Sequence, residues 1–366
     1  MTWNWQHTNW PQFIYNTEDF KEHELQFFEK AGMLNGSIQH IDQADQTLIT
    51  IDLISNEAFK TSEIEGELLN RDSLQSSIRR QFGLQTDYRR VEPAEQGIAE
   101  MMVHLYRNYH TPLDKETLCL WHKMITNGRM DLKNIGTYRT HEDPMQVVSG
   151  PMGREIIHFE APPSSRIPEE MSGFIRWFND TERSGRKEGA SLVRAAVAHL
   201  YFECIHPFED GNGRVGRGIS EKSLSQSLGR PTLIALSHII VENKKGYYQA
   251  LERNNRGLEI SDWISYFCDT VLKAQDHTQQ TINFIIQKGK FYKQFEGKLN
   301  ERQLKVVDQI FREGVKGFKG GLSAKNYRSI SGAPSATATR DLTKMVKVGA
   351  LKKTGELKST RYFLNI

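Results

Sequence analysis

Helical spacing of apolar side chains dominates this sequence, and it is densest between positions 192 and 201. Leu192, Val193, Ala196, Val197, Leu200 and Tyr201 fall three and four apart, which predicts a buried helix ending near Cys204. A second helix is expected from 215 to 228, free of proline and closed by Gly229 and Pro231. Upstream, 46 to 82 reads as helical, with Ile51, Ile54, Ala58, Thr61 and Glu65 on one stripe. Its three apolar members turn the stripe inward, so a carboxylate is delivered to the protein side of a helix, where it needs a cation. Residues 136 to 163 break the helical rhythm. Val147 and Val148 lie opposite Ile156, Ile157 and Phe159 across the turn Ser149, Gly150, Pro151, Met152, Gly153, which is the pattern of a β-hairpin. The first 45 residues carry Trp3, Trp5, Trp10, Pro11 and Phe13, then turn helical through Leu25, Phe27 and Phe28. They read as a cap on the main body.

Charge separates the end of the chain from the rest. From Leu299 onward there are 14 Lys and Arg against 5 Asp and Glu, a local net of +9 where the whole chain has +3. The pattern there predicts a helix from Glu301 to Arg312, a short helix from Ser323, a turn at 331 to 334 and a third helix from Ser335 to about Val348. Strands from Ala350 to Thr354 and from Thr360 to Leu364 around Gly355 complete a winged helix-turn-helix pattern. Arg340, Lys344 and Lys347 share one face of the third helix, and Lys352, Lys353 and Lys358 fall on the wing. These cations suit DNA. The scarcity of aromatic and amide side chains for base contacts suits a protein-docking module instead, and both readings stand.

The 366 residues, 38% hydrophobic, are enough for two or three packed domains. No apolar run approaches the length of a membrane span, and the first residues lack a basic stretch followed by an apolar one. The expectation is a cytoplasmic protein with no membrane partner. Cys119, Cys204 and Cys268 are far apart and form no paired motif, so they read as reduced thiols rather than a disulfide or zinc framework.

Candidate chemistry concentrates in the twelve residues HPFEDGNGRVGR, from His206 to Arg217. Gly211 and Gly213 allow the backbone to turn its N–H groups into one concavity at the start of the helix expected from 215, where a phosphate is favoured. Arg214 and Arg217, three apart, put two guanidiniums near that end, ready to fork onto phosphate oxygens. Asp210 is a hard oxygen ligand of the kind that holds Mg²⁺ together with substrate phosphates. His206 carries the side chain whose ordinary pKa lies near neutrality, which suits it to take a proton from an attacking hydroxyl.

The string resembles the Fic family signature, HPFxDGNGRxxR, and matches it at every fixed position. Fic proteins are mostly adenylyltransferases that move AMP from ATP to a Ser, Thr or Tyr hydroxyl of a protein. The resemblance therefore implies a mainly α fold, a Fic-type helical domain with a β-hairpin flap, and a protein adenylyltransferase as the activity. It implies His206 as base, Asp210 as Mg²⁺ ligand, and Gly211, Asn212 and Gly213 as phosphate cradle. Arg214 and Arg217 become polyphosphate clamps, and Phe208 anchors the loop. Relatives similar to the Doc toxin carry Lys at the position of Gly213 and transfer phosphate, so Gly213 favours AMP transfer. The hairpin matches the flap that holds the target segment in such proteins. The segment from Leu236 to Leu251, with Ser237, Asn243, Tyr247 and Tyr248, is similar to the one that shapes the adenine pocket. Asn243 is either a nucleotide contact or a structural residue. His199 reads as an interior histidine without a role.

Thr61, Ser62, Glu63, Ile64, Glu65 and Gly66 fit the [S/T]xxxE[G/N] pattern of the Fic inhibitory helix, placed N-terminal to the motif as in class II members. The resemblance implies that Glu65 pairs with Arg217, with Thr61 and Gly66 orienting the turn, and that the enzyme is autoinhibited and able to modify itself. The expected organisation is a cap carrying this helix (1–94), a catalytic domain (95–276), a connecting helix (277–298) and the winged domain (299–366). Expected partners are ATP, a target protein and a second copy of the chain, with DNA for the tail. Alternatives are a DNA-binding regulator that uses its Fic domain as a nucleotide sensor, or a Fic enzyme that removes AMP or transfers another phosphate-linked group.

Overall fold

In the structure, a computed structural model, residues 2–84, 90–151, 154, 156–188, 190–314, 317–318 and 320–366 are described. The chain divides into two compact units, Met1–Thr278 and Gln279–Ile366.

The first unit is helical. After two short 3₁₀ turns come α1 (Lys21–Gln39), α2 (Gln43–Ile64), α3 (Arg71–Gln81), α4 (Pro93–Asn108) and α5 (Lys115–Ile125). Local signals set these boundaries. The Asp42 carboxylate accepts the Asp45 N–H at the start of α2, Asn70 caps α3 through Ser73 N–H, and Asp114 caps α5 through Thr117 N–H. Each satisfies a helix-end donor that would otherwise face nothing. The hairpin follows as β1 (Gln146–Ser149) and β2 (Ile156–Glu160), antiparallel, with Gln146 opposite Glu160 and Ser149 opposite Ile156. Met152 and Gly153 of the expected turn lie outside the described residues.

Next come α6 (Ile167–Glu188), α7 (Ser191–Ile205), α8 (Asn212–Leu228), α9 (Leu236–Glu242), α10 (Lys244–Arg253) and α11 (Ser261–Phe295). Helix α7 is mostly apolar and buried throughout except at Glu203, its buried Arg194 and His199 being paired inside the protein, so it forms the axis of the unit. Its own Tyr201 and Phe202 join Phe174, Phe178, Phe208 and Trp121 in one cluster; Trp263, Ile264 and Phe267 belong to the other. Helix α8 lies beside it and is also buried, although it is rich in polar side chains. Those chains are paired inside the protein: Lys222 donates to the carbonyls of Asn108 and Tyr109 at 2.8 and 3.1 Å, and Ser223 accepts from Arg194 at 3.0 Å. A polar helix in this position is stable only because such partners meet it.

Three expected elements differ. The stretch from 46 to 82 is two helices, α2 and α3, separated by a turn in which Gly66 has φ 84°. Glu65 is therefore the C-cap of α2 and not a member of its buried stripe. The segment from Leu236 to Leu251 is split at Asn243 into α9 and α10. The expected connecting helix is the second half of α11, a single 35-residue helix.

The second unit contains the end of α11, then α12 (Glu301–Arg312), α13 (Ala324–Ser331), α14 (Ser335–Lys347), β3 (Leu351–Thr354) and β4 (Arg361–Leu364), the strands antiparallel. Phe291, Phe295, Val307, Phe311, Tyr327 and Met345 form its own core. Gly332 closes α13 in the left-handed conformation, with its N–H on the carbonyl of Arg328. Lys352 and Lys353 of β3 are exposed; the side chain of Lys358 lies outside the described residues. Among the described residues no helix is long and apolar enough to cross a membrane.

Candidate active site

The loop between α7 and α8 is built to be rigid. His206 ends α7 in the left-handed region, φ 51°, with its N–H still donating to Phe202 O at 3.0 Å. Phe208 is fully buried and stacks on His122, with centroids 4.2 Å apart. Asn212 closes the loop on itself: its carbonyl oxygen accepts Phe208 N–H at 3.0 Å and its amide donates to Phe208 O at 2.9 Å. The Asn212 side chain is thus committed to loop shape. From the neighbouring segment Arg139 donates to His206 O at 2.9 Å and, through its other nitrogens, to Ser164 and Pro162. It ties the loop to the base of the hairpin.

Gly211, φ 81°, caps α8. A Cβ there would lie 2.6 Å from Ile125, and at Gly213 it would lie 2.3 Å from Glu65 Oε1 and 3.0 Å from Arg217 Nη1. Gly211 is required by its left-handed backbone, and at Gly213 a side chain would have to displace the Glu65 carboxylate and the Arg217 guanidinium. Asp210 takes the Gly211 N–H at 2.7 Å and pairs with Arg129, whose guanidinium is also gripped by Asp131 at 2.6 and 2.8 Å.

Each guanidinium of the motif is met by a carboxylate from the end of α2. Arg217, buried, donates to Glu65 Oε1 at 2.7 Å, to Thr61 Oγ1 at 2.7 Å and to Thr61 O at 3.0 Å. Arg214, equally buried, pairs with Glu67 at 2.7 Å and lies 3.6 Å from Asp210. One donor of each, Arg217 Nη1 and Arg214 Nε, has no partner among the described residues. The structure thus brings Thr61, Glu65, Gly66, Asp210, Gly211, Gly213, Arg214 and Arg217 into one site. Asn243 is exposed and caps α10, accepting the Gly246 N–H at 3.2 Å.

Burial pushes the His206 imidazole down to about 4 despite the Glu203 carbonyl and nearby carboxylates that pull it up. This corrects the expectation that it titrates near neutrality: the ring is an unprotonated base across the physiological range. His199 is interior, its two ring nitrogens within hydrogen-bond reach of Tyr247 Oη at 2.7 Å and Ser220 Oγ at 3.1 Å.

Sequence reasoning missed Glu67, Arg129 and Glu203. The signal for Glu67 was present, since a glycine after Glu65 can turn the chain and bring a second carboxylate onto the same site. Arg129 carried no motif. Glu203 stands one helical turn before His206, a spacing that places both on one side of α7. The candidate Mg²⁺ ligand set is a single carboxylate, Asp210, beside two guanidiniums. It fits an ion that takes most of its ligands from water and substrate oxygens, and no cluster of three metal-binding side chains exists among the described residues.

Residues 112–224 match the Fic/DOC family, and residues 3–84 match a domain of unknown function, DUF4172. Protein adenylyltransferase fic-1 of Caenorhabditis briggsae is 33% identical over 100 residues, 27% of this chain and 18% of that protein. A probable protein adenylyltransferase of Aquifex aeolicus (strain VF5), aq_aa38, is 28% identical over 99 residues, 27% of each chain. The matched part thus spans between 18% and 27% of the length of these relatives. In fold, the chain is similar to a Fic family protein from Desulfovibrio desulfuricans G20, with TM-score 0.54 and 18% identity over 97% of this chain and 98% of that one. It is also similar to a Fic domain containing signaling protein from Bacteroides thetaiotaomicron VPI-5482, with TM-score 0.50 and 17% identity, covering 71% of this chain and 97% of that one.

Proposed function

We propose that this chain, which carries a Fic/DOC domain, is an autoinhibited protein adenylyltransferase that moves AMP from ATP to a Ser, Thr or Tyr hydroxyl of a protein, itself included. The observation that carries the reading is the ion pair between Glu65 and the buried Arg217, inside a site whose other parts suit phosphate transfer. His206 Nε2 takes the hydroxyl proton, the hydroxyl oxygen bonds to the α-phosphorus, and pyrophosphate leaves. The backbone at Gly211 to Gly213 and the start of α8 accept the phosphates, with Arg214 and Arg217 forking onto their oxygens. Asp210 would hold Mg²⁺ with the phosphates, where the ion neutralises their charge when bound. Arg139 and Asn212 keep the loop fixed, so His206 is held in place before substrate arrives.

With Glu65 on Arg217 and Glu67 on Arg214, both guanidiniums are withheld from the nucleotide. Arg217 is the buried member of the pair, and taking the carboxylate away leaves its charge uncompensated at a cost of order a few kcal/mol, so ATP phosphates must supply that charge themselves. The test is the intact mass of the Glu65→Gly protein after incubation with ATP and Mg²⁺. A gain of one AMP over the untreated protein is expected, and no gain, alone or with added protein substrates, overturns the reading.

The tail supports a second reading, binding of duplex DNA by the second unit. Helix α14 exposes Arg340, Lys344 and Lys347, while its one acid, Asp341, is buried and held by Arg302 at 3.3 Å and Tyr327 at 3.0 Å. A face of cations without an exposed acid is suited to a polyanion. Binding that weakens steeply between about 50 and 200 mM salt supports it; absence of binding at low salt favours a docking role for the tail.

A further inference from the structure

Behind His206 lies an acid that the transfer chemistry does not yet use. Glu203 belongs to the last turn of α7, its side chain 13% exposed, with Oε2 3.9 Å from His206 Nδ1. Its other oxygen, Oε1, is buried and has no hydrogen-bond partner among the described residues. Gly216 of α8 makes the space for it, because a Cβ there would stand 2.6 Å from Oε1. A buried carboxyl with an unmet oxygen is costly in a folded protein, and this one faces the edge of the base turned away from the substrate.

We propose that Glu203 is a positioning residue for His206, its main-chain carbonyl orienting the Nδ1 edge of the ring and its carboxylate, facing that edge, balancing the positive charge the ring acquires when Nε2 takes the acceptor's proton. The inference rests on the transfer reading above. The His206 Nδ1 also lies 3.3 Å from the Glu203 main-chain carbonyl. The carbonyl is the oxygen within hydrogen-bond reach, and it keeps the hydrogen on Nδ1 and leaves Nε2 free to accept, while the carboxylate at 3.9 Å acts on the ring through its charge. No net proton moves onto Glu203 in the step. The acceptor's proton ends on Nε2, the new P–O bond forms, and the charge on the ring is met by the carboxylate.

The groups around Glu203 decide when it is ionised. Arg217 faces it from α8, Glu65 from the end of α2, Tyr247 and Tyr248 from α10, and His199 and His206 from its own helix. Burial pushes its carboxyl up to about 8, Arg217 pulls it down, and the Glu65 charge pushes it up again. With Glu65 in place the carboxyl is largely protonated at neutral pH and offers no charge to the ring. Withdrawing Glu65 removes the like charge, so the movement that frees Arg217 also favours the ionised form of Glu203.

Two measurements test this. In the Glu65→Gly background, Glu203→Gln should lower kcat on the order of tenfold or more with KM for ATP unchanged. It should also abolish a limb on which kcat/KM rises with pH, lying lower than the value of about 8 that holds with the Glu65 charge in place, whereas Glu203→Asp should keep the limb and part of kcat. The readout independent of activity is the ¹⁵N signal of the His206 ring in the otherwise unaltered chain. It should inflect as pH passes about 8, and Glu203→Gln should remove that inflection. Unchanged kcat and pH profile in Glu203→Gln overturn the proposal, as does a ring signal that never inflects. So does a loss of kcat accompanied by loss of ATP binding, which would mark a packing role. A Glu65→Gly protein that never incorporates AMP overturns the transfer reading first, while the ring signal then reports on the His206–Glu203 contact alone.

Discussion

His206 is a base kept dry. Because burial holds its ring down to about 4, lowering the pH from 7 to about 5.5 should not protonate it, and any activity lost in that range belongs to other groups. His206→Ala should abolish AMP incorporation in the Glu65→Gly background and leave ATP affinity within about twofold, checked by calorimetric titration, since the ring is not a phosphate ligand. The two carboxylates at the end of α2 should act additively in part. Adding Glu67→Gln to Glu65→Gly should raise incorporation a further roughly two- to fivefold, what a partly exposed ion pair is worth. Equal rates in the single and double variants would assign Glu67 a structural role only. At this scale the motif from His206 to Arg217 was legible because its parts are neighbours in the chain and their chemistry depends on local geometry. Glu67 and Glu203 were not, because what matters about each is what stands opposite: an arginine 147 positions later for one, a glycine of the next helix for the other.

Helices α2 and α8 meet along more than the Arg217 contact. Glu57 of α2 accepts the Ser237 N–H at 2.9 Å, and its charge acts on Glu221 of α8. Burial first of all, and for Glu221 the Glu57 charge as well, pushes both carboxyls well above the ordinary range. Each holds its proton to higher pH in the folded chain than in the unfolded one, so the folded state binds the excess protons and loses stability as pH rises through neutrality. The melting temperature should therefore fall between pH 6 and pH 8.5, and Glu221→Gln should flatten part of that fall; the same slope in both proteins would remove the pair from the account. Elements were legible where apolar periodicity ran uninterrupted, as in α7, or where breakers framed a proline-free stretch, as Gly229 and Pro231 frame the end of α8. The breaks after Ile64 and at Asn243 were not, because both come from capping by residues that helices also tolerate inside: a carboxylate followed by glycine in one case, an asparagine in the other.

Over the whole molecule, two hydrophobic clusters either side of α7 hold the first unit and a third holds the second. Leu342 is buried in the second, so Leu342→Ala should destabilise that unit by about 2–5 kcal/mol while AMP incorporation by the Glu65→Gly protein stays unchanged. Calorimetry should show one transition moving and one fixed, and a single shifted transition would mean that the units unfold together. A mainly helical architecture with one hairpin in the first unit and another in the second could be read from the sequence. The extent of α11 could not, because no proline interrupts it and the switch from one core to the next leaves no mark in the spacing. Gly213 carries the last consequence. The space above it holds Glu65 Oε1 so closely that a methyl group would collide with it, and it is the space proposed for the phosphates. Two occupants of one seat compete, and the first is tethered to the chain by a short turn. Its local concentration is fixed by geometry and does not change with the amount of protein. Dilution, purification and expression level would then leave the restraint untouched, and the balance would follow the supply of ATP and anything that draws the turn after α2 away from the site.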